Sequence, residues 1–305
     1  MSKVAQAGPL FDAFLDRIRK MGPVGVSLVE AFDEEALSAL ALAEAHGFVT
    51  PYLVGNADRV RDAMSRLSTP LKDAVLVPSS TPEESAALGV SLVRDGKCRI
   101  VMKGKVGTSV LLKAVLDREK GLRTGRILSH VAALEVPGYD RFIFVTDGGV
   151  VLQPDLDKKV QIIKNAIEVC RMMGVERPRI ALLAPSEAPN PDSLASMHAV
   201  ALSRLAEDGA FPDAFVEGPM ALDVAVSPES ASIKGVVGEV PGRADVLMAP
   251  DLVAGNSIAK SMQYFARAVM GGVIVGAAAP VVVISRADTH VVKLNSLAMA
   301  RCLYR

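Results

Sequence analysis

Arg267–Asp288 reads RAVMGGVIVGAAAPVVVISRAD, and seventeen of its residues, Ala268 to Ile284, carry neither a charge nor a hydrogen-bonding side chain. A run of that length suits a short membrane span, but Gly271, Gly272, Gly276 and Pro280 argue against one continuous helix. Its second half, Pro280-Val-Val-Val-Ile284, is short and β-branched, the pattern of a strand buried on both faces of a parallel sheet. Ligands of such sheets bind beyond the carboxyl ends of the strands. Ser285, Arg286 and Asp288 arrive together at that place, which makes this stretch the expected anchor of an active site.

Working outward, 305 residues suit two domains or one large α/β domain. Half of the residues are apolar, enough to fill a core. The formal net charge is zero, so no bulk attraction to nucleic acid or to an anionic membrane is expected. Trp is absent and aromatics are few, which leaves no stacking platform for bases. Cys98, Cys170 and Cys302 stand far apart, outside any CxxC or Cys/His cluster, so neither a disulfide framework nor a metal site is expected. The first twenty residues are amphipathic, include acidic residues and lack a continuous apolar core, unlike a signal peptide. The chain reads as soluble and cytoplasmic.

Strand and helix signals alternate on both sides of the anchor. Strands are expected at 24–29, 48–54, 74–77, 99–102, 128–136, 141–146, 180–184, 214–217 and 244–249. Pro51 demotes the second of these to an edge or a bent strand. Asp33 opens a helix, Thr81-Pro82-Glu83-Glu84 forms a capping box, and further helices are expected at 58–67, 155–173, 193–207 and 257–270. That order implies an α/β class with mainly parallel sheets. Pro137–Asp140 offers a domain break. It predicts one domain from residues 1–138 with 286–305 packed back on it, and a second from 139–285.

Polar clusters punctuate this pattern. Lys103-Gly104-x-x-Gly107-Thr108-Ser109, between a strand and a helix, has the makings of an anion site, though a glycine-rich turn with a solvated lysine is equally ordinary. Gly121–His130 carries Arg123, Arg126 and Ser129, where arginine forks suit phosphate oxygens and a solvated loop is the plain alternative. Glu217 and Asp223 form either an acid/base pair or turn and cap supports. Asn256 and Lys260 sit one helical turn apart, as binding groups or as an N-cap and a solvated lysine. His46, His130, His198 and His290 are isolated from one another. In Ser285-Arg286-x-Asp288 no Gly-x-Ser-x-Gly elbow surrounds the serine. An arginine beside a carboxylate fits an oxyanion next to a base, with a structural ion pair as the bland reading.

With these residues in view the chain resembles the phosphate acetyltransferase/phosphate butyryltransferase family of phosphotransacylases. The matching stretches are Met102–Gly104, GLRTGRILSHVA at Gly121–Ala132, PDLDKKVQIIKNA at Pro154–Ala166, EGPMALDVAVS at Glu217–Ser227, GRADVLMAPDLVAGN at Gly242–Asn256 and SRAD at Ser285–Asp288. The LSHVA and SRAD forms are nearer the butyryl branch. The resemblance implies two α/β domains flanking a cleft, as in isocitrate and isopropylmalate dehydrogenases, and a homodimer or higher homo-oligomer. It implies the reaction acyl-CoA + phosphate ⇌ acyl phosphate + CoA, by direct transfer in a ternary complex. Coenzyme A and phosphate enter as substrates, with no bound cofactor, metal, nucleic acid or membrane.

The resemblance carries Ser285 and Arg286 over as catalytic residues. Beside these, Lys103, Gly104, Thr108, Ser109, Ser129, Asn256 and Lys260 are expected to bind phosphate or acyl phosphate, and Lys113, Arg123 and Arg126 to bind CoA. A later aspartate that takes the thiol proton in the acetyl branch is Val292 here, so Asp288 inherits that role. Lys113 stands where relatives often have arginine, Glu217 where aspartate is common, and His198 at a usually acidic position. Two alternatives remain open at this point: a metal- and NAD-dependent dehydrogenase of the same fold, and a non-catalytic CoA or acyl-phosphate binding protein.

Overall fold

The computed structural model describes residues 8–285 and 287–304; Arg286 lies outside them. The chain forms two compact units, Met1–Arg126 with Val269–Arg305, and Ile127–Ala268. It runs through α1 (Pro9–Arg19), β1 (Val24–Val29), α2 (Glu34–Ala45), β2 (Val49–Gly55), α3 (Ala57–Ser65), β3 (Val75–Pro78), α4 (Pro82–Arg94), β4 (Ile100–Lys103) and α5 (Thr108–Val115) in the first unit. The second unit follows with β5 (Ser129–Glu135), β6 (Ile143–Thr146), α6 (Leu156–Met172), β7 (Arg179–Leu183), α7 (Leu194–Glu207) and β8 (Phe215–Met220). It closes with α8 (Leu222–Val226), α9 (Pro228–Ile233), β9 (Val246–Met248) and α10 (Leu252–Tyr264). The chain then returns to the first unit with β10 (Val269–Val275), β11 (Val281–Val282) and α11 (His290–Cys302).

In the first unit the strands lie in the order β3-β2-β1-β4-β11-β10. All neighbours are parallel except β10 and β11, which pair antiparallel at Ile274↔Val281. The decisive apolar run is thus two strands rather than one. The helix expected to reach Met270 stops at Tyr264, because Arg267 turns the chain at φ +56° and Met270 enters β10. Two glycines of the run have a packing reason. A Cβ on Gly271 would meet Met299 Sδ at 2.9 Å, and the Gly272 N–H donates to Ser296 Oγ at 2.9 Å, so α11 lies directly on β10. From Val292 to Cys302 every residue of α11 is buried, against β10, β11, α1 and α2.

Pro51 does not make β2 an edge: β2 lies between β1 and β3. Its missing N–H costs no ladder bond on the outer side because pairing with β3 begins one residue later, at Tyr52↔Val75. The expected caps are present. Asp33 Oδ1 accepts from Ala36 N–H at 2.9 Å, and Thr81 Oγ1 from Glu84 N–H at 3.2 Å. The return arm of the box reaches one residue upstream, to the Ser80 N–H at 2.8 Å.

The second unit orders its strands β5-β6-β9-β7-β8. Pro137-Gly138 is a hairpin turn inside it, since β5 and β6 pair antiparallel on either side at Leu134↔Ile143. For that reason the unit begins at Ile127 and not at 139. It ends at Ala268 and not at 285, because β11 hydrogen-bonds to β4 of the first unit.

Candidate active site

At the carboxyl edge of the first unit's sheet, the turns after β1, β4 and β11 are fastened to one another. Gly104 N–H donates to Val29 O at 2.8 Å and Lys105 N–H to Glu30 O at 2.9 Å. A Cβ on Gly104 would stand 2.3 Å from Glu30 O, so only glycine allows this approach. Glu30 itself is nearly buried at φ +57°, a region that side chains rarely occupy and that tends to mark functional loops. Its Oε1 accepts from Ser85 Oγ at 2.5 Å, and Ser79 Oγ lies 2.7 Å from Ser85 Oγ.

After β11 comes a tight turn. Asp288 N–H donates to Ser285 O at 3.1 Å and Ala287 N–H to Ser285 Oγ at 3.3 Å. Ser285 is exposed and Asp288 buried. Lys293, 3 % exposed one turn into α11, donates its ammonium to the Asp288 carbonyl at 2.7 Å and lies 3.9 Å from Asp33 Oδ1. Lys105 Nζ stands 4.0 Å from the other Asp33 oxygen. Beside them, His290 N–H and Nδ1 approach Glu35 Oε2 at 2.5 and 3.1 Å. Because β4 and β11 are parallel neighbours (Val282↔Met102), the Lys103–Ser109 and Ser285–Asp288 turns leave the same sheet edge side by side.

The remaining expected residues of this unit are distributed as follows. Lys103 is buried, with Nζ 3.3 Å from Gly104 O. Thr108 and Ser109 are exposed in the first turn of α5, whose N-cap Gly107 supplies no side-chain cap. The amides of that turn therefore keep donors for an anion. Ser109 and Lys113 share a surface pocket of about 370 Å³. Arg123 and Arg126 are exposed, on a loop held by Thr124 Oγ1 donating to Gly276 O at 2.5 Å.

In the second unit Ser129 is fully enclosed, and its Oγ accepts from Asn165 Nδ2 at 2.8 Å. Asn256 is not an N-cap; Asp251 is, and Asn256 Nδ2 donates to Gly148 O at 3.1 Å. Lys260 Nζ donates to Gln263 Oε1 at 2.9 Å. Glu217 and Asp223 turn out to be supports. The first accepts from the Glu239 and Val240 N–H groups, and the second pairs with Lys234 at 3.0 Å. Cys98 and Cys170 are buried free thiols, and burial pushes Cys98 up to about 12 and Cys170 well above its usual range. Among the described residues no group of three His, Cys, Asp or Glu side chains could hold a metal ion.

Three features escaped the sequence reading. Asp33 and Lys293 were legible only as a helix cap and a helix residue, although a lysine inside Val291-Val292-Lys293-Leu294 is out of keeping with a buried face. Asp147, at the end of β6, is 2 % exposed and accepts four backbone N–H groups, from His130, Gly149, Val150 and Val151, at 2.8–3.3 Å. Its signal was the Asp147-Gly148-Gly149 turn directly after a strand. Lys159 is 4 % exposed, and burial depresses its ammonium to about 8, partly offset by Asp251.

The folded pKa of Lys159, about 8, lies below the ordinary 10.5, so between those values the unfolded chain holds the extra proton and stability from this group rises with pH. Below pH 8 the full cost of burying the charge applies, at most about 3 kcal/mol. Lys159→Met should therefore raise the Tm at pH 7 and flatten its dependence between pH 8 and 10, read by thermal denaturation. A lower Tm together with an unchanged slope would count against it.

Comparison with known proteins places the chain in a family. A family model described as phosphate acetyl/butaryl transferase matches residues 76–301. A phosphate butyryltransferase of Clostridium acetobutylicum is 36 % identical over 290 residues, 95 % of this chain and 96 % of the relative. The crystal structure of a branched-chain phosphotransacylase from Enterococcus faecalis V583 is similar at a TM-score of 0.81 and 32 % identity, over 92 % of this chain and 99 % of that one. A 4-hydroxythreonine-4-phosphate dehydrogenase from Klebsiella pneumoniae shares the fold alone, at a TM-score of 0.52 and 13 % identity over 92 % and 99 % of the two chains. With the motifs in order along one parallel-dominated α/β scaffold, the chain belongs to the phosphate acetyl/butyryl transferase family and is an acyltransferase.

Proposed function

We propose that the chain transfers a short acyl group, butyryl or branched in preference to acetyl, from coenzyme A to inorganic phosphate by direct transfer in a ternary complex. The observation that carries this reading is the side-by-side exit of the Lys103–Ser109 and Ser285–Asp288 turns from adjacent parallel strands. A phosphate oxygen attacks the thioester carbonyl carbon, the C–S bond breaks, and CoA leaves as the thiolate. Arg286, with Ser285, stabilises the negative charge developing on the carbonyl oxygen. Lys103, Gly104 and the amides and hydroxyls of Thr108 and Ser109 hold phosphate in line, where positioning two reactants supplies up to about 7–11 kcal/mol. In the reverse direction Asp288 accepts the thiol proton.

Lys113, Arg123 and Arg126 are assigned to CoA, and Asn256 and Lys260 keep a secondary place in acyl-phosphate binding. Ser129 is left out because its hydroxyl is enclosed and bonded to Asn165. An acyl-cysteine step is disfavoured by buried thiols held in the neutral form. The cytoplasm and a homodimer or larger homo-oligomer complete the reading. No helix among the described residues is long and apolar enough to cross a membrane. The test is phosphate-dependent CoA release from acetyl-, propionyl-, butyryl- and isobutyryl-CoA. Turnover highest on the four-carbon substrates is the expected result. Saturable CoA binding with no release from any of the four would replace the enzyme by a binding protein.

A further inference from the structure

Resting on that reading, we propose that Lys293 is a positioning residue that clamps the main chain of the Ser285–Asp288 turn to the start of α2 through Asp33. The ammonium occupies an unfavourable place: it is buried, and it folds back toward the positive N-terminal end of α11. Such a charge persists only if its partners are fixed. They are the Asp288 carbonyl at 2.7 Å and Asp33 Oδ1 at 3.9 Å, and Asp33 is itself fixed as the α2 N-cap. One carboxylate thereby serves the turn after β1, the turn after β4 through Lys105, and the turn after β11 through Lys293. A buried ion pair adds little net stability compared with apolar packing, whereas it fixes geometry in one arrangement. Here the geometry fixed is that of the turn assigned to the chemistry, and the neighbouring Glu35–His290 contact ties the same two helix starts together.

The clamp also gives the reaction an alkaline ceiling. Among the described residues the charged groups acting on Lys293 are Asp33 and Glu35 from α2, Lys105 from the turn after β4 and Asp288 from the entry to α11, with His290 placed against Glu35. Burial lowers the Lys293 pKa below the ordinary lysine range. Asp33, Glu35 and Asp288 resist that shift and Lys105 adds to it. As pH rises through the lowered value, the Asp288 carbonyl loses its charge-assisted donor, and Asp33 keeps its Ala36 N–H and the half-exposed Lys105 but loses the buried cation.

The experiment measures kcat, both KM values and the kcat–pH profile from 6 to 10 for wild type, Lys293→Met, Lys293→Arg, Asp33→Asn and Arg286→Ala, with circular dichroism and Tm for each. Lys293→Met should lose about 10²-fold in kcat with smaller changes in either KM, the effect of a reacting group displaced by about 1 Å. Lys293→Arg should recover to within about tenfold of wild type and move the alkaline limb to higher pH, because guanidinium does not deprotonate in that range. Asp33→Asn keeps a competent cap but removes the counter-charge, so its alkaline limb should move to lower pH. Asp33→Asn and Lys293→Arg decide the matter even if Lys293→Met fails to fold. Wild-type kcat per folded molecule with unshifted limbs in these variants, while Arg286→Ala collapses, overturns the clamp alone. Near-normal turnover of Arg286→Ala overturns the site reading and the clamp with it.

Discussion

Arg286→Ala should lose about 10²–10³-fold in kcat, the range expected when one donor to a developing oxyanion is removed. In free-energy terms that is about 3–4 kcal/mol of transition-state stabilisation. Arg286→Lys should regain only part of it, because an ammonium restores the charge without a planar two-pronged fork, which on the proposed reading would serve a carbonyl oxygen and a phosphate oxygen together. Ser285→Ala should cost less. Its Oγ is already engaged with the Ala287 N–H at 3.3 Å, and its loss mainly loosens the turn. Phosphate-dependent CoA release at saturating substrate reads all three. Arg286→Ala within threefold of wild type would remove the guanidinium from the chemistry.

Asp147→Ala should be the most damaging single change to the second unit's fold, at about 3–5 kcal/mol. The carboxylate is 2 % exposed and takes four backbone N–H groups at once, so its removal leaves a set of buried donors without an acceptor. Beyond this loop lies the start of α10, close enough that a Cβ on Gly255 would be 2.6 Å from Asp147 O, and Asn256 Nδ2 bonds Gly148 O. A loop released at Asp147 therefore also loosens α10. Asp147→Asn should recover part of the loss, since its single carbonyl oxygen replaces only the Oδ1 or the Oδ2 acceptor. Denaturant titration of the three proteins checks the order wild type, Asn, Ala. An alanine variant within about 1 kcal/mol of wild type would mean that water replaces the carboxylate.

The sequence by itself determined the alternation of strands and helices, the caps at Asp33 and Thr81, and the family, because each of these is written in local periodicity or in contiguous motifs. It also placed Ser285 and Asp288 just past a buried strand, since that position follows from one β-branched run. Only the tertiary structure decided that this run is half of an antiparallel pair, that Pro51 sits harmlessly inside a sheet, and that Pro137-Gly138 turns a hairpin instead of dividing the chain. It alone enclosed Ser129 against Asn165 and brought Lys293 to Asp33, 260 residues away in sequence. The physical reason is common to all of these: strand neighbours and buried charge partners are chosen by packing between segments distant along the chain, and no local pattern of residues records which distant segment will arrive.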